Sequence, residues 1–220
     1  HPQLIARLRE AEEEADLAYF DEHGPPSFER CFEGLSRIGT IVGAMKEFAH
    51  PDARDKAPAD LNQALTTTLA ISKNEYKYVA DIQTELGELP PVYCYVGDLN
   101  QVFLNLIVNA AHAIADVVAD TGNRGTITVR TFVTDPDTVC IQVADTGCGI
   151  PKSAGNRIYD PFFTTKPVGK GSGQGLAIAR SIVVDKHDGT LSFESEEGKG
   201  TVFSLRLPID GASKSPRSIR

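Results

Sequence analysis

"TITVRTFVTDPDTVCIQVADTGCGI", residues 126–150, is the stretch that decides the fold. Apolar and polar residues alternate along residues 126–133 and again along residues 138–145, which is the period of a half-buried strand. The Asp-Pro-Asp between the two runs favours a turn. The stretch therefore predicts an antiparallel hairpin, and "GTLSFES" at 189–195 with "GTVFSLRLP" at 200–208 predicts a second one.

Helical patterns lie before and between these hairpins. We expect a helix from Asp60 to about Asn74, a strand around Tyr78 to Leu86, and a strongly apolar helix from Asp98 to about Ala119. Helices that alternate with hairpins, rather than regular βαβ units, predict an α/β fold. The specific prediction is a two-layer α/β sandwich, in which helices cover one face of a mixed sheet.

The N-terminal part carries two apolar stripes at the three-four spacing of helices. The stripes consist of Leu4, Leu8, Ala11, Ala15, Ala18, Leu35, Ile38, Val42, Met45 and Ala49. "HGPP" at residues 23–26 breaks the pattern, which predicts a helical hairpin of two helices joined by a turn. Ordinary core packing and a dimerising helical bundle both explain these stripes. A polar stretch at residues 50–60 marks a boundary, so we expect a helical segment at 1–52, a second domain at 53–210 and a tail at 211–220.

Composition excludes several classes of protein. The net charge of -8 and the pI near 5.1 argue against a nucleic-acid surface, which needs a basic face. No apolar run approaches the roughly 18 residues of a membrane span, so no membrane contact is expected. The cysteines lack CxxC spacing, which indicates neither a zinc site nor a disulfide framework and favours a cytoplasmic setting. The chain begins at His1 without a methionine, from which we expect a piece of a longer protein.

A second motif is "PFFTTKPVGKGSGQGLAIA" at residues 161–179, with glycine at every second position from Gly169 to Gly175. A glycine-rich loop that leads into a helix exposes backbone N–H groups to an anion. A phosphate site and a flexible surface loop are both open at this point. A P-loop is excluded because no Ser or Thr follows Lys170, and a dinucleotide fingerprint is excluded because no strand leads into the glycines.

Two further elements favour a nucleotide site. "DTGCGI" at residues 145–150 ends a strand in an aspartate and two spaced glycines, so Asp145 could accept from an exocyclic amine while a flat base approaches the main chain. Asn105 and Asn109 lie four residues apart in an apolar helix, on one face. Structural capping explains such a pair of amides, and so does a Mg²⁺ site completed by phosphate oxygens.

The four motifs together resemble those of sensor histidine kinases. "NLIVNA", "DTGCGI", "PFFTTK" and "GKGSGQGLAIA" are similar, in this order, to the N box, first glycine box, F box and second glycine box of that family. The resemblance covers residues from about 60 to 208 and implies a Bergerat-type ATP-binding fold, with ATP and Mg²⁺ as cofactors. "GLSRIGTIVGAMKEFAHP" at 34–51 resembles the second helix of the dimerisation and phosphotransfer domain, in the subgroup whose F box reads FFTTK.

The resemblance also implies roles for individual residues. Asn109 resembles the Mg²⁺ ligand, Asn105 a catalytic residue near the phosphates, and His112 a polar group that reaches a phosphate. Asp145 would bind the adenine amine beside Gly147, Gly149 and Ile150, and Thr201 would help to fix the adenine through water. The lid over the triphosphate would consist of Thr164, Thr165, Lys166, Gly169, Lys170, Gly171, Ser172, Gly173, Gln174, Gly175 and Leu176. Lys166 would act in catalysis.

The resemblance implies two partners, a response regulator receiver domain and a second copy of the chain bound through the helical segment. The family phosphorylates a histidine within a pattern close to His-Glu-x-x-x-Pro. The five histidines, His1, His23, His50, His112 and His187, do not fit this pattern. Each is therefore expected to be a surface or ligand residue, and the acceptor histidine is expected upstream of residue 1.

Two rival functions differ from a histidine kinase. "DTG" is also the active-site triplet of aspartic proteases, in which two carboxylates share a proton, but the sequence has no second triplet. The protease reading also leaves the asparagine helix and the glycine loop unused. The second rival keeps the ATP-binding fold, as a serine kinase or a non-kinase ATPase of the same superfamily. The paired helical stripes and the FFTTK box favour a histidine kinase.

Overall fold

The computed structural model describes most of the chain beyond residue 54. The described residues are 55–119, 123–164 and 172–211, together with 5, 7, 19, 23–28 and 32. The chain divides into two compact units, His1–Ala53 and Arg54–Arg220. All ten residues of the predicted N-terminal stripes, and the tail after residue 211, lie outside the described residues.

The described residues of the N-terminal unit correct one prediction. Residues 23–28 are helical, so the break predicted at residues 23–26 is wrong. Proline fixes φ near the helical value and lacks only a backbone donor, so its presence does not by itself exclude a helix. The rings of Tyr19 and His23 stack with centroids 4.2 Å apart, a contact between residues four apart in sequence.

The second unit alternates helices and strands in the predicted order. Its helices are α1 (Leu61–Ile71), α2 (Lys73–Tyr76), α3 (Val96–Val118) and α4 (Gly175–Ser181), with a 3-10 helix at Gly155–Tyr159 and a π-helical segment at Ile182–Lys186. Its strands are β1 (Ala57–Ala59), β2 (Ala80–Leu86), β3 (Val92–Cys94), β4 (Gly125–Asp135), β5 (Thr138–Asp145), β6 (Thr190–Glu196) and β7 (Gly200–Pro208). Helix α1 begins where the Asp60 side chain accepts from the Gln63 N–H at 3.0 Å.

The sheet confirms the predicted two-layer α/β sandwich. Its order is β2-β4-β5-β7-β6, with β2 parallel to β4 and the other pairs antiparallel, so both predicted hairpins are present. Alternate side chains of β4, β5 and β7 are buried on the face against which α3 packs. A small antiparallel sheet of β1 and β3 was not predicted. These strands have three residues each, too few for a period to emerge from the sequence.

Helix α3 supplies much of the core. Its buried residues recur at three-four spacing: Leu99, Val102, Phe103, Leu106, Ile107, Ala110, Ala111 and Ile114. By length and mean hydropathy α3 could cross a membrane, contrary to the sequence-based prediction that no segment could. Polar residues interrupt every apolar run of α3, but they are too few to lower its mean hydropathy much. The packing of its apolar stripe against the sheet accounts for that hydropathy.

His187 is a buried structural residue, so its predicted role as a surface or ligand residue is wrong. It is 2% exposed, and its Nε2 accepts from the backbone N–H of Tyr95 at 3.0 Å. Its Nδ1 lies 2.8 Å from the carbonyl oxygen of Ile182. Because a backbone N–H only donates and a carbonyl only accepts, the ring is neutral with its proton on Nδ1. The ring thus ties the start of α3 to the π-helical segment, a contact between residues far apart in sequence.

In an Asp145→Asn background, the folding stability of the chain is expected to fall as the pH drops below about 6.5, the ordinary pKa of histidine. Burial is the largest cause that lowers the pKa of His187, so the unfolded chain takes up this proton at a higher pH than the folded chain. One such proton changes the free energy of unfolding by at most about 1.4 kcal/mol per pH unit. Urea unfolding at several pH values, in an Asp145→Asn background that removes the opposing titration of Asp145, measures this slope. Substitution of His187 by Gln should remove the slope, and an unchanged slope would contradict the assignment.

Candidate functional site

One face of α3 forms the floor of the candidate site. Asn105, Asn109 and Ala113 follow one another at intervals of four residues, so they lie in one row along the helix. With a rise of 1.5 Å per residue, the row is about 12 Å long. The two asparagines are half-buried. The two glycine-containing motifs contact the opposite ends of this row.

The "DTGCGI" turn rests on the Ala113 end. A Cβ added to Gly147 would lie 2.5 Å from the carbonyl carbon of Ala113 and 2.7 Å from its oxygen, so only glycine fits against the helix. The backbone N–H of Cys148 donates to the carbonyl oxygen of Ala113 at 3.0 Å. Gly147 is thus required for the approach of α3, and its role in the approach of a flat base stays a prediction.

Asp145 is the acidic residue of the site. It ends β5, points to the same face of the sheet as the buried residues of that strand, and is 9% exposed. Its Oδ1 accepts from the Gly147 N–H at 2.8 Å. Burial raises the pKa of Asp145 to about 6, while hydrogen bonds from the backbone of Gly147 and Thr201 oppose that rise. A carboxylate has about four acceptor sites, so acceptor capacity remains for a donor on a ligand.

Thr201 and Ser195 lie beside Asp145 on the next two strands of the sheet. Asp145 pairs with Thr201 on β7, and Thr201 pairs with Ser195 on β6. Thr201 is 4% exposed, and its Oγ1 lies 2.9 Å from Ser195 Oγ. Ser195 Oγ also accepts from the Ile150 N–H at 2.8 Å and donates to the Gly200 carbonyl at 3.0 Å. Sequence analysis missed Ser195, although its place opposite Thr201 in the predicted hairpin could have indicated it.

The turn between β6 and β7 holds the "DTGCGI" turn from the other side. Gly198 N–H donates to the carbonyl of Cys148 at 2.8 Å. Gly149 has a φ of 73°, and a Cβ there would lie 2.4 Å from the carbonyl oxygen of Glu196. Gly200 has a φ of 118°, in the region that favours glycine. The backbone around Asp145 is therefore fixed by contacts on two sides.

The glycine-rich motif reaches the Asn105 end of the row. The amide Nδ2 of Asn105 donates to the carbonyl oxygen of Gly175, the first residue of α4, at 3.1 Å. Nearby, the N–H of Phe162 donates to the carbonyl of Gly173 at 2.9 Å, so the residues that flank the segment 165–171 contact each other. Of the predicted lid, Thr164, Ser172, Gly173, Gln174, Gly175 and Leu176 are described, whereas Thr165, Lys166, Gly169, Lys170 and Gly171 lie outside the described residues.

Asn109 is suited to hold a metal ion together with a ligand. It lies midway between Asn105 and Ala113, and its amide has no side-chain hydrogen bond within the described part of the chain. The described residues contain no group of three or more His, Cys, Asp or Glu that could hold a metal by itself. Mg²⁺ keeps several waters and binds through one or two protein oxygens plus phosphates, so one amide oxygen fits that ion. His112 is half-buried one turn away and has a contact of its own.

Comparison with known proteins identifies the family to which the chain belongs. The model of histidine kinase-, DNA gyrase B- and HSP90-like ATPases matches residues 95–211, more than half of the chain. The chain belongs to this ATPase family. Sporulation kinase E of Bacillus subtilis (strain 168) is 34% identical over 178 residues, which are 80% of this chain and 23% of that protein. Sensor histidine kinase ZraS of Klebsiella oxytoca is 33% identical over 182 residues, which are 81% of this chain and 37% of that protein.

Solved structures agree with the fold of the ATPase domain. The catalytic domain of histidine kinase ThkA, in a nucleotide-free form, superposes with a TM-score of 0.59 at 29% identity, covering 70% of this chain and 97% of that one. Histidine kinase ThkA in complex with the response regulator protein TrrA gives a TM-score of 0.64 at 27% identity, covering 82% of this chain and 50% of that one. The chain spans less than two fifths of the length of the two relatives above, so it corresponds to a part of such kinases.

Two surface cavities of the ATPase domain lie away from this site. One, of about 380 Å³, is lined by residues that include Asp137, Asp188 and Arg206. The other, of about 290 Å³, lies between Tyr159 and Arg180. Neither contains a residue that the sequence predicted for nucleotide binding. The candidate site is therefore identified by its chemistry and by its position in the fold, not by the size of a cavity.

Proposed function

We propose that this chain is the catalytic part of a two-component sensor histidine kinase. In this proposal the ATPase domain binds ATP with Mg²⁺ and transfers the γ-phosphate to a histidine of the kinase, for relay to the receiver domain of a response regulator. The geometry along α3 supports it most. Asn109 lies between a turn that carries a buried carboxylate and the start of α4, which gives separate places for a base, a metal ion and phosphates.

In this arrangement the residues of the chain have distinct tasks. Asp145 and Thr201 bind the base, Asn109 and Asn105 face the metal and the phosphates, and Lys166 is the proposed catalytic lysine. Bound Mg²⁺ would neutralise phosphate charge during transfer. The glycines of the "DTGCGI" turn keep the base pocket in contact with α3, so the base and the metal are held at a fixed spacing.

Other features of the proposal come from the relatives and from the sequence. The FFTTK box supports membership of the subgroup with that F box, and the N-terminal stripes support a homodimer through the helical segment. A receiver domain is the expected partner, because ThkA is a histidine kinase solved with a response regulator. The domain itself is proposed to work in the cytoplasm.

The test is to titrate the chain with ATP, with and without Mg²⁺, and to incubate it with γ-labelled ATP. We expect Mg²⁺-dependent binding without stable self-labelling, because none of the five histidines lies in the acceptor pattern. Failure to bind ATP, or stable label on one of these histidines, would contradict the proposal. In a longer chain that includes an acceptor histidine, the label should be acid-labile and alkali-stable. An acid-stable label would instead identify the serine-kinase alternative.

A further inference from the structure

The hydroxyl of Ser195 has three polar neighbours, and their chemistry fixes where each proton lies. The Ile150 N–H, 2.8 Å away, only donates, whereas the Gly200 carbonyl oxygen, 3.0 Å away, only accepts. Ser195 has one proton and two lone pairs. Its proton therefore goes to Gly200, because otherwise two oxygen atoms would face each other 3.0 Å apart without a proton between them.

The third neighbour, Thr201 Oγ1 at 2.9 Å, must then be the donor to Ser195. This assignment uses both lone pairs of Ser195 and leaves none of the three contacts unsatisfied. The proton of Thr201 is committed to Ser195, so Thr201 presents only lone pairs to any other group. Because Thr201 is 4% exposed, bulk water does not compete for this arrangement.

We propose that Ser195 determines the base specificity of the site by holding the Thr201 hydroxyl as an acceptor beside the Asp145 carboxylate. The proposal rests on the nucleotide-binding function proposed above. Asp145 and Thr201 are paired neighbours on β5 and β7, and both side chains lie on the buried face of the sheet. In this proposal the Thr201 hydroxyl contacts the base directly, in place of the water-mediated contact that the resemblance implies. An amine at C6 of a purine can then donate to both acceptors, whereas a carbonyl at C6 meets lone pairs at both.

Ser195 acts here as a positioning residue, and its removal has a defined consequence. Without Ser195 the Thr201 hydroxyl is free to rotate and donate, so it can satisfy a carbonyl at C6. A purine nucleotide with that carbonyl should then bind more tightly, while ATP loses little. One recovered hydrogen bond corresponds to about a fivefold change in affinity.

The experiment measures the dissociation constants of ATP and ITP, with Mg²⁺, for four forms of the chain. ITP carries a carbonyl at C6 and lacks the amine at C2 of GTP, so it differs from ATP only at C6 and in the proton that N1 then carries; the comparison among variants isolates the Thr201 contact. The forms are the unmodified chain, Ser195→Ala, Thr201→Val and the double variant. Ser192→Ala serves as the matched control, because Ser192 is an exposed serine of the same strand. Ser195→Cys, which fills the same space with a weak hydrogen-bonding group, replaces Ser195→Ala if that variant does not fold.

We expect the ratio of ITP to ATP dissociation constants to fall about fivefold in Ser195→Ala, with ATP affinity within about twofold of the unmodified chain. Ser195→Ala should have no further effect on the ratio once Thr201 is Val. A ratio that stays constant while ATP still binds overturns this inference alone. A fall in the ratio that persists in the Thr201→Val background also overturns it, because Ser195 would then act only through the Ile150 turn. Failure of the unmodified chain to bind ATP overturns the proposed function and this inference together.

Discussion

Replacement of Asn109 by alanine is expected to reduce the gain in ATP affinity that Mg²⁺ provides by at least tenfold. The loss of even an outer-shell partner costs a metal site about 10- to 100-fold in affinity, and a direct ligand costs no less. The fold should remain intact, because the amide of Asn109 has no side-chain hydrogen bond among the described residues. Alanine also has a higher helix propensity than asparagine. Calorimetric titration of ATP with and without Mg²⁺, beside a thermal melt, measures both quantities.

Asn62 provides the matched control for this prediction. Its Nδ2 donates to the carbonyl of Gly87 at 2.8 Å, and its Oδ1 accepts from Thr131 Oγ1 at 2.8 Å. Asn62→Ala leaves these buried or half-buried partners unsatisfied, which costs about 1–3 kcal/mol and should lower the melting temperature. It should not change the Mg²⁺ dependence. If Asn109→Ala instead lowers stability and binding together, Asn109 is a structural amide like Asn62.

The architecture of the second unit could be predicted because its elements are long and regular. The hairpins at residues 126–145 and 190–208 alternate over most of their length, and α3 repeats its apolar residues over six turns. The β1–β3 sheet could not be predicted, because three-residue strands have no period. The helical conformation of residues 23–28 was missed because two prolines were taken as a break. Local patterns thus predict elements only where the pattern repeats.

The sequence predicts the candidate site as a set of motifs, whose roles stay predictions, but it does not predict the contacts among them. Asp145 and Asn109 follow from residue type and spacing, since both are polar residues at otherwise apolar positions. The role of Gly147 as a contact with Ala113 depends on the packing of a turn against a helix, which the sequence does not encode locally. His187 and Ser195 likewise acquire their roles from partners on other elements. Such long-range hydrogen bonds appear only when the chain is folded.

Asp145 should make the ATPase domain select adenine over guanine. Its ionised carboxylate accepts from the amine at C6 of adenine but would face the carbonyl oxygen of guanine at the same place. A buried polar group that is left unpaired costs about 1–3 kcal/mol, which corresponds to about 5- to 150-fold weaker binding of GTP. In Asp145→Asn the amide can turn its NH₂ toward that oxygen, so the selectivity should shrink while the Mg²⁺ dependence remains. Titrations of ATP and GTP into both forms measure the selectivity.

The raised pKa of Asp145 provides a second, independent test of the same prediction. Because burial raises this pKa from 3.8 to about 6, the folded chain holds the proton more tightly than the unfolded chain. This contribution to folding stability is complete below pH 3.8 and is lost as the pH rises through about 6, so Asp145→Asn should not destabilise the fold at neutral pH. A protonated carboxyl can donate to the carbonyl of guanine, so the preference for ATP should shrink as the pH falls through about 6. The selectivity of Asp145→Asn should not change over the same range. Equal affinities for ATP and GTP in the unmodified chain at neutral pH would overturn the assignment of Asp145 to the base.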